Sequence, residues 1–198
     1  MTVRNTKRAI FLDRDGTISP DEFGYIKDPS LYHLYPEAGE ALRIMRDLGY
    51  LLFIVTNQSG IARGYFGLEE LEKVHDRMRE LVAAEGVILD AVYFSPYFAT
   101  GIVEPYNVHH EDRKPGIGMY KRALREFHFD PAQSFMIGDR ATDVQFAQNA
   151  GLRSILLLSG NGNKEMQAIL HSDPEAVCPD YICESILTAA QMIKRFYP

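Results

Sequence analysis

No block of lysine or arginine runs along this chain, and acids outnumber bases 27 to 21, for a formal net charge of −6. A protein that tracks a polyanionic backbone needs a basic stripe, so a large nucleic-acid partner is excluded while a small basic pocket is not. Long apolar runs are missing too. The start, MTVRNTKRAIFLDRDG, meets charge after only a few apolar residues. That is too soon for a secretory signal or a membrane span, so the chain reads as cytoplasmic with no membrane partner. Cysteine is scarce: Cys178 and Cys183 stand near the C-terminus with no second cluster to pair with, which suits a reducing compartment. There is no internal repeat, low-complexity tract or linker, so residues 1–198 are expected to form one domain acting as a monomer. With 46% hydrophobic and 24% charged residues, such a domain has enough apolar material for a substantial core.

What is present is alternation. Apolar runs at Ala9–Leu12, Tyr50–Val55, Ala91–Phe94, Ser134–Ile137 and Ser154–Leu158 read as strands covered on both faces. Between them lie amphipathic stretches: one from Pro36 to Gly49 carrying Ala41, Leu42, Met45 and Leu48, then Leu68–Glu85, Met119–Phe127, Thr142–Asn149, Lys164–Leu170 and Ser185–Phe196. Strand–helix–strand repeated predicts an α/β fold, a Rossmann-like doubly wound parallel sheet with right-handed crossovers. Two connections, Gly16 to Tyr35 and Ser95 to Pro115, are long enough to serve as a lid and a rim. Met45, Met78, Cys178 and Cys183 read as structural, and His75 as a solvated helix residue. GNGNK at Gly160–Lys164 lacks the spacing of a phosphate-binding P-loop and reads as a turn before a helix.

Ligands of such sheets bind beyond the carboxyl ends of the strands, so those positions carry the chemistry. Asp13 and Asp15 follow the first strand, Thr56-Asn57-Gln58-Ser59 the second, and Asp139-Arg140 the fourth, with Asp143 a helical turn further on. Arg113-Lys114-Pro115 precedes the third helix. If extended geometry continues past Leu12, Asp13 and Asp15 point one way and Arg14 the other. Clustered acids that receive an anionic substrate need a counter-charge. Magnesium meets the need, taking one or two carboxylates together with phosphate oxygens, and Asp13 and Asp139 would supply those carboxylates. Lys114 and Thr56 would add a cation and a hydroxyl for the phosphoryl group. The pattern describes phosphoryl transfer: one carboxylate attacks phosphorus and a second, two residues on, protonates the leaving oxygen.

Four segments, DRDGT at Asp13–Thr17, VTNQSG at Val55–Gly60, RKP at Arg113–Pro115 and GDRATD at Gly138–Asp143, resemble in order the marks of the haloacid dehalogenase superfamily. TNQSGIARG and RKPGIGM are similar to its D-glycero-D-manno-heptose 1,7-bisphosphate phosphatases, enzymes of lipopolysaccharide precursor synthesis, and more distantly to its histidinol-phosphate phosphatases. The resemblance implies a single domain without a large cap, and a magnesium-dependent phosphatase acting on a small phosphorylated substrate through an aspartyl-phosphate. It implies Asp13 as nucleophile and metal ligand, Asp15 as acid/base and carbonyl ligand, and Asp139 as the remaining metal ligand. Thr56 and Lys114 would hold the phosphoryl group, and Asp143 would support them. Tyr25, Asn57, Gln58, Ser59, Arg113 and Arg140 would meet the substrate, with the two arginines reading a second phosphate.

The chain departs from its relatives at the usual zinc loop. Ser95-Pro96-Tyr97 and His110-Glu111-Asp112 stand where thiolates are the rule, so zinc is not expected, and His109, His110 and Asp112 read as solvated. The apolar residues Tyr97, Phe98, Ile102, Val103, Pro105 and Tyr106 are expected to fix that loop instead. A signalling receiver also places acids, Thr and Lys at strand ends. The third strand here ends Phe94-Ser95-Pro96 with no aspartate to phosphorylate, which argues against a receiver.

Overall fold

The computed structural model describes residues 7–21, 24–170 and 177–198. The basic segment at the extreme N-terminus, read above for targeting, lies outside them through residue 6. The chain order is β1 (Arg8–Leu12), α1 (Ala38–Asp47), β2 (Tyr50–Asn57), α2 (Leu68–Ala84), β3 (Ala91–Ser95), α3 (Gly118–Glu126), β4 (Phe135–Gly138), α4 (Ala141–Ala150), β5 (Arg153–Leu157), α5 (Gly162–Leu170), β6 (Tyr181–Cys183) and α6 (Ile186–Phe196). The strands form one six-stranded sheet in the order β3-β2-β1-β4-β5-β6, and every neighbouring pair is parallel. The described residues form no large cap over it.

Period-two alternation explains the two cores. Ile10, Leu12, Leu52, Ile54 and Ile137 pack with Ala41, Leu42 and Met45 of α1, Val74 and Met78 of α2, and Ile193 of α6. Ala9, Phe11, Phe53, Val55 and Met136 pack with Met119 and Ala123 of α3 and Phe146 of α4. On that second face Phe11 touches Phe53, Tyr120, Phe129 and Phe146, with ring centroids 5.1 to 6.1 Å apart in tilted or edge-on geometry. The strand that ends at the acid pair is thereby seated rigidly from below.

The expected elements all form, with shifted ends. Helix α1 begins at Ala38, because Pro36 and Glu37 make a turn ahead of it. Strand β2 runs two residues past Val55, since Thr56 and Asn57 still pair with Phe94 and Ser95 of β3. Strand β6 went unpredicted: it is three residues long and half exposed at the sheet edge, too short for a periodic pattern. Both cysteines were expected at the end of the sheet; Cys183 ends β6, but Cys178 is exposed in the segment before it and belongs to no strand.

His75 is a correction. It is fully buried on α2, its ring lies 5.6 Å from that of Phe94, and neither ring nitrogen has a hydrogen-bond partner among the described residues. The polar sequence around it, EKVHDRMRE, hid the fact that position 75 shares the apolar stripe of Leu71, Val74, Met78 and Val82. Burial drives its pKa down to about 3, with Arg14 and Arg79 pushing the same way.

Candidate active site

Strands β1 and β4 are adjacent while the chain departs from them to opposite sides, so the crevice at their carboxyl ends is the switch point of the sheet. Asp13 continues the ladder by one residue, its N–H donating to the Ile137 carbonyl at 2.9 Å. Extended geometry then stops. The amides of Ile18 and Ser19 return to the Arg14 carbonyl, and Gly16 adopts φ +83°. A Cβ on Gly16 would lie 2.2 Å from Asp139 Oδ2, so this turn requires glycine for both its backbone angle and its closeness to the facing acid.

Asp13, Lys114, Asp139 and Asp143 form a buried ionic cluster. Lys114 Nζ lies 2.9 Å from Asp13 Oδ1 and 2.6 Å from Asp143 Oδ1. Burial opposes the Lys114 charge, but the two carboxylates outweigh it and hold the ammonium above its usual pKa. Asp13 moves up to about 6, chiefly by burial and despite Lys114, with Asp143 and Asp15 adding repulsion. Asp139 moves up to about 7 by burial and by repulsion from Asp13 and Asp143. Lys114 pairs with two of the three gathered acids and not with Asp139, which leaves an excess of negative charge.

The oxygens of this cluster are differently committed. Asp13 Oδ1 takes the Arg14 N–H at 2.8 Å as well as Lys114, while Oδ2 has no partner among the described residues. Asp139 Oδ2 accepts from the Asn161 N–H at 2.7 Å, and its Oδ1 is buried without a partner. Both Asp143 oxygens are occupied, one by Lys114 and one by the Arg140 N–H at 3.0 Å, which caps α4. Asp143 thus braces Lys114 and the helix together.

Asp15 faces the same cavity, but Arg14 does not point away as alternation would have it. The tight turn folds Arg14 back, fully buried, onto the Asp15 carboxylate, Nε to Oδ1 at 2.9 Å and a terminal nitrogen to Oδ2 at 2.8 Å. Gln58 Nε2 adds a bond to Asp15 Oδ2 at 2.9 Å and one to Thr56 Oγ1 at 2.8 Å. Since the Thr56 oxygen accepts from Gln58, its own hydrogen is left to donate elsewhere. Asn57 is a brace: its amide pairs with both the N–H and the carbonyl of Lys114, at 3.0 and 3.1 Å. Tyr25 and Ser59 share a hydrogen bond of 3.0 Å between their hydroxyls.

Above the cluster opens a cavity of about 420 Å³ lined by Asp13, Asp15, Tyr25, Thr56, Asn57, Gln58, Ser59, Arg113, Lys114 and Arg140, the residues proposed from sequence. Asp139 lies beneath it, fully buried. The lining also includes Asp21 and Arg63, which sequence reasoning missed. Asp21 holds Arg140 at 2.8 Å and accepts from Asn161 at 2.9 Å. Asn161 belongs to the GNGNK segment, of which only Gly160 and Asn161 form the expected turn while Gly162 to Lys164 already lie in α5, and Asn161 also reaches the site. Arg63 stood in plain view in GIARG, next to residues already singled out.

The altered loop is built differently from expectation in part. Ile102 is 80% exposed and Pro105 is exposed, so neither packs. Tyr97 instead stacks on His110 at 3.8 Å and lies 5.9 Å from Tyr106. His109 and His110 are exposed, as expected, though His110 also stacks on Tyr97 and its Nδ1 accepts from the Asp112 N–H at 3.1 Å; Asp112 is the correction, half-buried with its carboxylate 3.5 Å from Arg122.

Asp13, Asp139 and Asp143 are the one group of three potential metal ligands gathered among the described residues, within 4.8 Å of one another. The free Asp13 Oδ2 and the unpartnered Asp139 Oδ1 are hard oxygen donors in a negatively charged nest, a fit for a small divalent cation. A parallel sheet whose switch point carries a carboxylate pair, a buried lysine and a second acidic loop defines a haloacid dehalogenase-like hydrolase. The family model for HAD-hydrolase-like proteins matches residues 112–189. The chain belongs to this family, in the group of the heptose bisphosphate phosphatases, and it is a phosphomonoester hydrolase with the receiver alternative set aside. It is 38% identical to the D-glycero-beta-D-manno-heptose-1,7-bisphosphate 7-phosphatase of Haemophilus ducreyi, over 84% of this chain and 94% of that one. It is also 38% identical to the D-glycero-D-manno-heptose-1,7-bisphosphate 7-phosphatase of Thermosynechococcus vestitus, over 93% and 94%. Among solved structures it is similar to the D,D-heptose 1,7-bisphosphate phosphatase of B. bronchiseptica complexed with magnesium and phosphate, with TM-score 0.80, 29% identity and coverage of 95% and 98%.

Proposed function

We propose that the chain, acting as one domain over residues 1–198, removes the 7-phosphate of a D-glycero-D-manno-heptose 1,7-bisphosphate in a magnesium-dependent reaction through a phosphorylated Asp13. The observation that carries this reading is the pairing of Lys114 with one Asp13 oxygen while the other oxygen faces the cavity without a protein partner. Lys114 orients the carboxylate, and the free Oδ2 attacks phosphorus. The ester P–O bond breaks as the Asp13 O–P bond forms, and the sugar oxygen leaves with a proton from Asp15. Asp15 then takes a proton from water, the water oxygen bonds to phosphorus, and the Asp13 O–P bond breaks to release phosphate.

Asp15 begins engaged with Arg14 and Gln58, so it must turn from them toward the leaving oxygen. Thr56 donates its free hydrogen to a phosphoryl oxygen, and Lys114 balances charge on the same group. Asp13, Asp139 and the Asp15 carbonyl would hold magnesium, which supplies positive charge against the acids and the phosphoryl oxygens. The reading is tested by phosphate release from a panel holding the heptose bisphosphate, its monophosphates and histidinol phosphate, with and without magnesium. The bisphosphate should have the highest kcat/KM and need the metal; equal turnover of histidinol phosphate would contradict the reading.

A further inference from the structure

Three guanidinium groups line the cavity, and they are not equivalent. Arg140 is neutralised by Asp21 at 2.8 Å. Arg63 and Arg113 have no carboxylate within ion-pair distance among the described residues. Both lie against one ring, Phe98, at 3.8 Å for Arg63 and 5.0 Å for Arg113 from guanidinium carbon to ring centroid. Among the described residues Arg113 makes one long bond, 3.3 Å, to the Tyr97 carbonyl, and the buried Nε of Arg63 has no partner. Burial holds the Arg113 pKa below its ordinary value, and the nearness of Arg63 and Arg140 works the same way.

Two unpaired cations are held here by design of the backbone. The N–H groups of Ile102 and Val103 both donate to the Ala62 carbonyl, at 2.7 and 3.0 Å, and Phe98 N–H donates to Tyr106 at 3.0 Å. A Cβ at Gly101 would stand 2.5 Å from the Ala62 oxygen, so the two loops meet backbone to backbone. The segment carrying Phe98 is thereby tied to the segment carrying Arg63, one residue from the tie.

The structure assigns Arg63, together with Arg113 and across the shared ring of Phe98, as the clamp for the second anionic group of the substrate, in place of the Arg113–Arg140 pair that the sequence suggests. Guanidinium groups without carboxylate partners keep their forked donors for oxyanions, and a flat ring sets their planes without consuming donors. The ligand class is a sugar carrying a second phosphate remote from the one at Asp13. The inference rests on the bisphosphatase reading above.

The experiment compares kcat/KM for the heptose bisphosphate and for a monophosphate lacking the distal phosphate, in wild type, Arg63→Gln, Arg63→Lys and Arg140→Gln. Arg63→Gln should lower the bisphosphate-to-monophosphate ratio by about 10- to 100-fold, mostly through KM, which is the scale of a lost charge-assisted hydrogen bond. Arg63→Lys keeps charge without the fork, should fall between, and guards against a folding defect in Arg63→Gln. Arg140→Gln should change the ratio less than Arg63→Gln. A wild type that does not favour the bisphosphate overturns the underlying reading and this assignment with it. A wild type that does, with the preference intact in Arg63→Gln or lost more completely in Arg140→Gln, overturns this assignment alone.

Discussion

Replacing Gly16 by alanine tests the geometry of the acid cluster without removing a charged group. The new methyl would sit 2.2 Å from Asp139 Oδ2 and 2.4 Å from its Cγ. Ordinary contact begins near 3.4 Å, so the carboxylate must move by about 1 Å. It has nowhere to retreat without loosening the 2.7 Å bond from Asn161 N–H, and Gly160 closes the other side. The left-handed φ of +83° adds about 1–2 kcal/mol of backbone strain, and the overpacking about 1–3 kcal/mol more. A catalytic group displaced by about 1 Å lowers turnover on the order of 100-fold. Gly49→Ala is the control: φ is +84° there, but nothing lies within 4 Å of the added carbon. Urea unfolding and steady-state phosphate release at varied magnesium should show both variants destabilised and only Gly16→Ala nearly inactive, with a raised magnesium requirement. Wild-type turnover in Gly16→Ala, or equal loss in both variants, would refute the reasoning.

The raised Asp13 and Asp139 pKa values mean the folded, metal-free protein keeps protons that the unfolded chain releases above about 4. Its stability should therefore fall as pH rises from about 4 to 7, and the melting-temperature gain from added magnesium should grow across that same window; a gain independent of pH would contradict the burial account. His75 behaves oppositely, its pKa lowered to about 3, so the stability tied to its neutral form is present above about 6.5 and is lost as pH falls toward 3. His75→Leu should flatten that acid-side loss and cost less than about 1 kcal/mol at neutral pH in urea unfolding, because no hydrogen bond is given up. Elemental analysis should find no stoichiometric zinc, and a zinc-selective chelator should leave melting temperature and kcat unchanged, since stacking of Tyr97 on His110 and the tie to Ala62 order the altered loop.

Sheet and site differ in how far the sequence disclosed them. Four strands were legible because burial on both faces makes them nearly continuous apolar runs, and β3, though at the sheet edge and only partly buried, still carries an apolar run of four residues; β6, half exposed and three residues long, carries no such signal. Asp13, Thr56 and Asp139 could be placed because strand ends fix where side chains emerge. Lys114 and Arg113 were placed by their position ahead of the third helix and by the need for a cation beside the acids, and the RKP resemblance added Arg113's role toward the substrate. Arg63, Asp21 and Asn161 reach the cavity through long-range docking of loops, which no periodicity encodes. Arg14 turned the wrong way in the extended-strand argument because the turn at Gly16 intervenes. His75 was obscured by charged neighbours that occupy the other faces of α2.

The central claim is that Asp13 carries the phosphoryl group during turnover. Asp15→Asn, which should slow both leaving-group protonation and hydrolysis of the intermediate, can be mixed with magnesium and an activated phosphomonoester, acid-quenched within the first turnover, digested and analysed by mass spectrometry. The account predicts a phosphoryl group on the peptide containing Asp13, and none in the Asp13→Asn protein, which should also be inactive while melting as a folded protein. An unmodified Asp13 peptide at a time when product has already formed, or substantial turnover by Asp13→Asn, would contradict it.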